Sequence, residues 1–91
     1  MNKIIKFLSE IGIECHYAGW KTFRHFGGAS FYNDGYYQTD FYEFDYKGTK
    51  YAIHHKSTGR PMYWLFVNGE RITARFNQRD FIELLKKHLG N

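Results

Sequence analysis

Apolar residues recur along this chain with two periods, and the periods divide it. Ile4, Phe7, Leu8 and Ile11 stand at i, i+3, i+4 and i+7, one stripe of a helix over Lys3 to Ile11. Gly12 supplies its stop. Near the other end Phe81, Leu84, Leu85 and Leu89 form a second such stripe. Asn77 is placed as its N-cap with Asp80 three residues on, a variant of the capping box. Lys86, Lys87 and His88 complement the helix dipole at the far end, and Gly90 closes it.

Between the helices the period is two. Thr39 to Tyr46 and Thr49 to Lys56 flank Lys47-Gly48. A two-residue turn there pairs Tyr46 with Thr49, Asp45 with Lys50, Phe44 with Tyr51 and Tyr42 with Ile53, so that charges and apolar groups both meet their complements. Ser57 to Pro61 reads as a loop. Met62 to Val67 and Glu70 to Phe76 flank Asn68-Gly69, a dipeptide in which both residues tolerate positive φ, the strongest short-range hairpin signal. This turn pairs Phe66 with Arg71, Leu65 with Ile72, Trp64 with Thr73 and Tyr63 with Ala74. Asp40 to Phe76 is therefore a four-stranded antiparallel meander.

Upstream, Ile13 to Tyr17 suggests a short strand, Ala18-Gly19 a turn, and Trp20 to Phe26 a second strand. Its alternation puts Trp20, Thr22, Arg24 and Phe26 on one face and Lys21, Phe23 and His25 on the other. Gly27 to Gly35 reads as a loop or irregular hairpin around Phe31-Tyr32, with turn chemistry at Asn33-Asp34-Gly35. Gly27-Gly28 matches neither a dinucleotide-binding fingerprint nor a P-loop. The expected fold is α+β: an antiparallel meander sheet of about five or six strands with an N-terminal and a C-terminal helix, forming a single domain over residues 1–91.

Chaining the registers sorts the side chains onto two faces. Tyr42, Phe44, Tyr51, Ile53, Tyr63, Leu65, Ile72, Ala74 and Phe76 form the expected core face. The other carries Phe41, Glu43, Asp45, Lys50, Ala52, His54, Lys56, Met62, Trp64, Phe66, Arg71, Thr73 and Arg75. If the first helix or the strands at 13–26 cover this second face, Trp64 and Phe66 make a second small core. If it is open, Trp64, Phe66, Arg71, Arg75, Lys56, Lys50 and His54 are the expected binding residues. Arg and large aromatics dominate interface hot spots, and rings beside cations are what single-stranded nucleic acid stacks on.

Composition sharpens this picture in one respect. Aromatics make up 21% of the chain, and bulky rings let a small domain bury much area per residue. The net charge of +4 is unevenly spread. Asp34, Asp40, Glu43 and Asp45 fall in a stretch without Lys or Arg, whereas Lys47 to Arg75 holds six cations and one acid, Glu70. One cysteine, Cys15, excludes an internal disulfide framework. No apolar run approaches the ~18 residues of a membrane span. The N-terminal Met1 to Leu8 lacks a leader's cleavage pattern, so the expected location is the cytoplasm of a cell or of an infected host.

The candidate chemistry is thin. His54-His55 and Cys15-His16 are adjacent pairs whose members point to opposite faces of a strand, so no metal site and no cofactor is expected. His54 lies diagonally from Glu43. Such a pair beside a cation has the elements of a metal-independent ribonuclease: one group takes the 2′-hydroxyl proton and the other protonates the leaving oxygen. An ordinary cross-strand surface pair is the commoner meaning. The expectation is therefore a small non-enzymatic binding protein with a protein partner. It would be an inhibitor or accessory factor of the kind phages use against host defence, an inference from size and class alone. The acidic, tyrosine-rich 34–45 stretch favours that partner. The cations from Lys47 to Arg75 favour an RNA- or single-stranded nucleic-acid-binding module, the alternative. A ribonuclease toxin using His54 and Glu43 comes third.

Overall fold

The computed structural model describes residues 1–24 and 36–90. The order is α1 (Asn2–Glu10), β1 (His16–Arg24), β2 (Tyr36–Tyr46), β3 (Thr49–Lys56), β4 (Met62–Val67), β5 (Glu70–Arg75) and α2 (Gln78–Leu89). The five strands form one antiparallel sheet in chain order. This is the expected α+β architecture, a five-strand meander with a helix at each end. No helix among the described residues is long and apolar enough to cross a membrane.

Two tight turns set the ladder. Lys47 and Gly48 have φ of +49° and +77°, and Asn68 and Gly69 have φ of +51° and +84°, the positive pair that a type I′ turn requires. The first turn produces the expected register, with Tyr46 opposite Thr49, Asp45 opposite Lys50 and Tyr42 opposite Ile53. The second is also tied to β3: Asn68 N–H donates to the Lys50 carbonyl at 2.8 Å, and Asn68 Oδ1 accepts from Lys50 N–H at 3.3 Å.

Beyond Phe66–Arg71 the β4–β5 register departs from the expected one. Ile72 is an extra residue, so Leu65 faces Thr73, Trp64 faces Ala74 and Tyr63 faces Arg75. One inserted residue exchanges the faces of everything after it. The expected core positions Ile72, Ala74 and Phe76 are therefore lost to the core. Ile72 is 43% exposed, and Phe76, 51% exposed, lies beneath the Arg60 guanidinium at 4.6 Å. Arg75 moves to the Leu65 side, where its Nη1 donates to Thr73 Oγ1 at 2.8 Å and to the Ala74 carbonyl at 2.7 Å. A bulge and arginines on this edge strand oppose pairing with another chain.

A second bulge corrects the start of the sheet. β1 is one strand where two were expected. Tyr17 pairs with Tyr42 and Gly19 with Phe41, leaving Ala18 as the extra residue. Small residues that permit a turn also permit a bulge, and the alternation alone does not separate the two. The expected strand positions His25 and Phe26 and the loop at Gly27 to Gly35 lie outside the described residues.

The helices end as their residues dictate. α1 closes with Gly12 at φ +82°, Ile13 N–H donating to the Leu8 carbonyl at 2.8 Å and Gly12 N–H to that of Ser9 at 3.0 Å. This is a Schellman arrangement, and Ile13 and Leu8 are both buried beside it. α2 is capped by Asn77, whose Oδ1 accepts from Asp80 N–H at 2.8 Å while its Nδ2 donates to Asp80 Oδ2 at 3.0 Å. Gln78 Oε1 accepts from the Lys3 and Ile4 N–H groups at 2.9 and 3.3 Å, so the first turn of α2 satisfies donors in the first turn of α1. Ile4, Leu8, Phe81, Leu84, Leu85 and Leu89 of the helices join Phe44, Tyr51, Ile53, Tyr63 and Leu65 of the sheet in one buried cluster. Both helices thus lie on the same face of the sheet.

Gly69→Val is expected to lower stability by about 1 kcal/mol or more, because a β-branched residue resists positive φ. An unchanged melting temperature for this variant would show that the turn does not set the register.

Candidate functional site

The pleat leaves the other face to a different set of side chains. By register it carries His16, Lys21 and Phe23 from β1, and Tyr37, Thr39, Phe41, Glu43 and Asp45 from β2. β3 contributes Lys50, Ala52, His54 and Lys56, β4 contributes Met62, Trp64 and Phe66, and β5 contributes Arg71 and Ala74. Among the described residues no helix lies over this face. Of the expected binding residues, Trp64, Phe66, Arg71, Lys56, Lys50 and His54 come together here. Arg75 does not, because the Ile72 bulge turns it to the helix side.

Rings run across this face from strand to strand. Tyr37 stacks on Phe23 at 5.6 Å, and Phe23 meets Phe41 edge-on at 6.4 Å. Phe41 meets His54 at 4.6 Å, and His54 meets Phe66 at 4.0 Å. Trp64 is the cross-strand neighbour of His54. Cations lie on the same ribbon: Lys21 Nζ is 5.5 Å from the Phe23 centroid and Lys56 Nζ 5.4 Å from that of Tyr37, within the range of cation–π attraction.

His54 sits at the middle of the ribbon. Burial holds its pKa below the ordinary histidine value, against the pull of Glu43 in the other direction. The imidazole is thus held neutral at pH 7 and packs as one more ring. Glu43 stands opposite Ala52, diagonal to His54 as expected. The imidazole lies against the Phe41 and Phe66 rings, a setting that suits stacking.

Thr39 is the odd member of the face. It is 2% exposed, and its Oγ1 has no hydrogen-bond partner among the described residues. A buried hydroxyl without a partner costs about 1–3 kcal/mol. In register it lies between Lys21 on β1 and Lys56 on β3. Phe23, Tyr37 and Thr39 do not stand out as binding residues in the sequence. The Tyr37, Thr39, Phe41 alternation is visible there, but it acquires a surface only once β2 is seen to begin at Tyr36 and to pair with β1.

The pleat also divides the acidic stretch. Glu43 and Asp45 point to the open face, Asp40 points to the helix side, and Asp34 lies outside the described residues. Asp40 Oδ2 is 4.0 Å from His55 Nδ1, and Gln38 Nε2 donates to Asp40 Oδ1 at 3.1 Å. His55 stacks flat on Tyr63 at 4.6 Å. Its pKa is lowered chiefly by burial and also by the nearby N-terminal amine, while Asp40 raises it.

Elsewhere the chemistry is structural. Burial pushes the Cys15 thiol up to about 11, which keeps it protonated and a poor nucleophile. An open groove of about 420 Å³ beside the first turns of the helices is lined by Lys3, Pro61, Tyr63, Phe76, Asn77, Gln78 and Arg79, and Gln78 there is engaged in bonding the two helices. Among the described residues no group of three or more His, Cys, Asp or Glu could hold a metal ion. Compared with protein-family models, with curated proteins and with solved structures, the chain matches none.

Proposed function

We propose that this chain is a non-enzymatic binding protein whose contact surface is the helix-free face of its sheet. The observation that carries this reading is the ring ribbon from Phe23 and Tyr37 through Phe41 and His54 to Phe66, set with lysines and placed opposite the face that makes the core. A small domain has little reason to array large rings on a face its helices do not use, unless something else covers them. The protein partner expected from the sequence, an inhibitor's or accessory factor's target, retains the support of Trp64 and Arg71, residue types that anchor interfaces. It loses the support of a continuous acidic patch, since Asp40 turns away from Glu43 and Asp45.

Melts of two neighbouring variants test whether the face is surface or core. Leu65, fully buried among the helices, should cost about 2–5 kcal/mol on truncation to Ala. Trp64→Ala should cost only about 1 kcal/mol, the worth of its cross-strand contacts. Equal losses at the two positions would return Trp64 to a core and remove the proposed surface.

Ribonuclease activity is expected to be absent when the pure protein is incubated with RNA in chelator. Cleavage that disappears in both His54→Ala and Glu43→Gln would replace the binding reading with the catalytic one.

A further inference from the structure

We propose that the helix-free face takes single-stranded nucleic acid, seating a backbone phosphate on the Lys21–Thr39–Lys56 row and stacking bases on Phe41, His54 and Phe66. The proposal rests on the reading of this face as the contact surface and names its occupant. Lys21, Thr39 and Lys56 are direct cross-strand neighbours on three adjacent strands. Adjacent strands lie about 5 Å apart, so Lys21 and Lys56 flank Thr39 with their backbones about 10 Å apart, close enough for two long side chains to reach a single anion. The Thr39 hydroxyl is sealed from solvent and has no partner among the described residues; a phosphate oxygen that displaces the side chains covering it would accept the hydrogen bond that this hydroxyl otherwise lacks. Both lysine amines already rest on rings of the same face, Lys21 on Phe23 and Lys56 on Tyr37. The anion site and the stacking site are therefore contiguous, as the alternation of phosphate and base along a nucleic-acid strand demands.

The rings choose among polyanions. Phe41, His54 and Phe66 span three strands, a length of about 10 Å that suits roughly two or three bases on a sheet. Bases inside a duplex cannot reach such a platform, whereas unpaired bases can. His54, held neutral at the centre, adds a ring without adding charge. Glu43 and Asp45 lie on the same face toward the Lys47-Gly48 turn, Asp45 opposite Lys50, whereas the Lys21–Lys56 row has no carboxylate among the described residues, which favours the strand at that end.

The test is fluorescence anisotropy on the full chain with a labelled oligothymidylate of about 12 nucleotides, alone and annealed to its complement. The single strand should bind, with log K falling by about 0.7 per phosphate contact for each decade of salt, and the duplex should bind at least about tenfold more weakly. Thr39→Val removes the hydroxyl and keeps the shape. Its melting temperature should hold or rise, since an unpaired buried hydroxyl is replaced by a methyl group, while affinity falls by about tenfold. Lys21→Gln with Lys56→Gln should lower the salt slope by about 0.7, the loss of one phosphate contact, and Phe66→Ala should cost about tenfold in affinity or more. Duplex bound as tightly as single strand, or affinity unaltered in both the Thr39 and the lysine variants, would overturn the proposal. Absence of oligonucleotide binding at about 50 mM salt would also overturn it. If Trp64→Ala then melts close to the parent, the contact face survives that result and its occupant is a protein; if Trp64→Ala melts like Leu65→Ala, the contact face itself has failed.

Discussion

Both helices dock on one side of the sheet, and the rest of the molecule follows from that one-sided burial. Ile4, Leu8, Phe81 and Leu85 of the helices and Ile53 and Leu65 of the sheet are fully buried and belong to one cluster. A chain of 91 residues has material for one such core, since small domains bury only about 60–65% of their unfolded surface. The helices reinforce the arrangement between themselves through Gln78, which satisfies backbone donors at the start of α1. Once both helices have been spent on one face, the rings of the other must cover one another or be covered by something else.

The open face does both in part. Its rings are half-buried by mutual contact, with spacings of 4.0 to 6.4 Å from Phe66 to Phe23, and lysine stems lie across them. Such side chains stabilise the sheet through cross-strand contacts and remain available to a ligand with π faces or negative charge. The charge pattern follows strand position: Lys21 and Lys56 stand at one end, and toward the β2–β3 turn Glu43 and Asp45 are interleaved with Lys50 and Arg71. In the histidine pair, alternation separates two roles. His54 joins the ring ribbon, and His55 faces the helix side, stacked on Tyr63 beside Asp40.

The two bulges show how little it takes to redraw a surface. Ala18 in β1 and Ile72 in β5 each insert one residue. The second carries Arg75 away from Trp64 and exposes Ile72 and Phe76. Both bulges lie in the edge strands, where a residue without a partner disrupts only one ladder.

Local chemistry was legible from the residues alone. Helix ends at Gly12 and Asn77 and two-residue turns at Lys47-Gly48 and Asn68-Gly69 depend on neighbours a few positions apart, the β2–β3 register follows from the first of these turns, and each is present as the residue types require. The placement of Trp64, Phe66, His54, Lys50, Lys56 and Arg71 on one face followed from those registers. Three matters were decided only by tertiary structure: whether α1 joins α2 on the expected core face or covers the other, whether Ala18-Gly19 turns or bulges, and on which side Arg75 falls. The first is a competition between two half-apolar faces for the same helix, and it is settled by packing over long sequence separations. The other two hinge on a one-residue slip, which leaves the hydrophobic pattern almost unchanged along the chain and yet reverses every side chain beyond it.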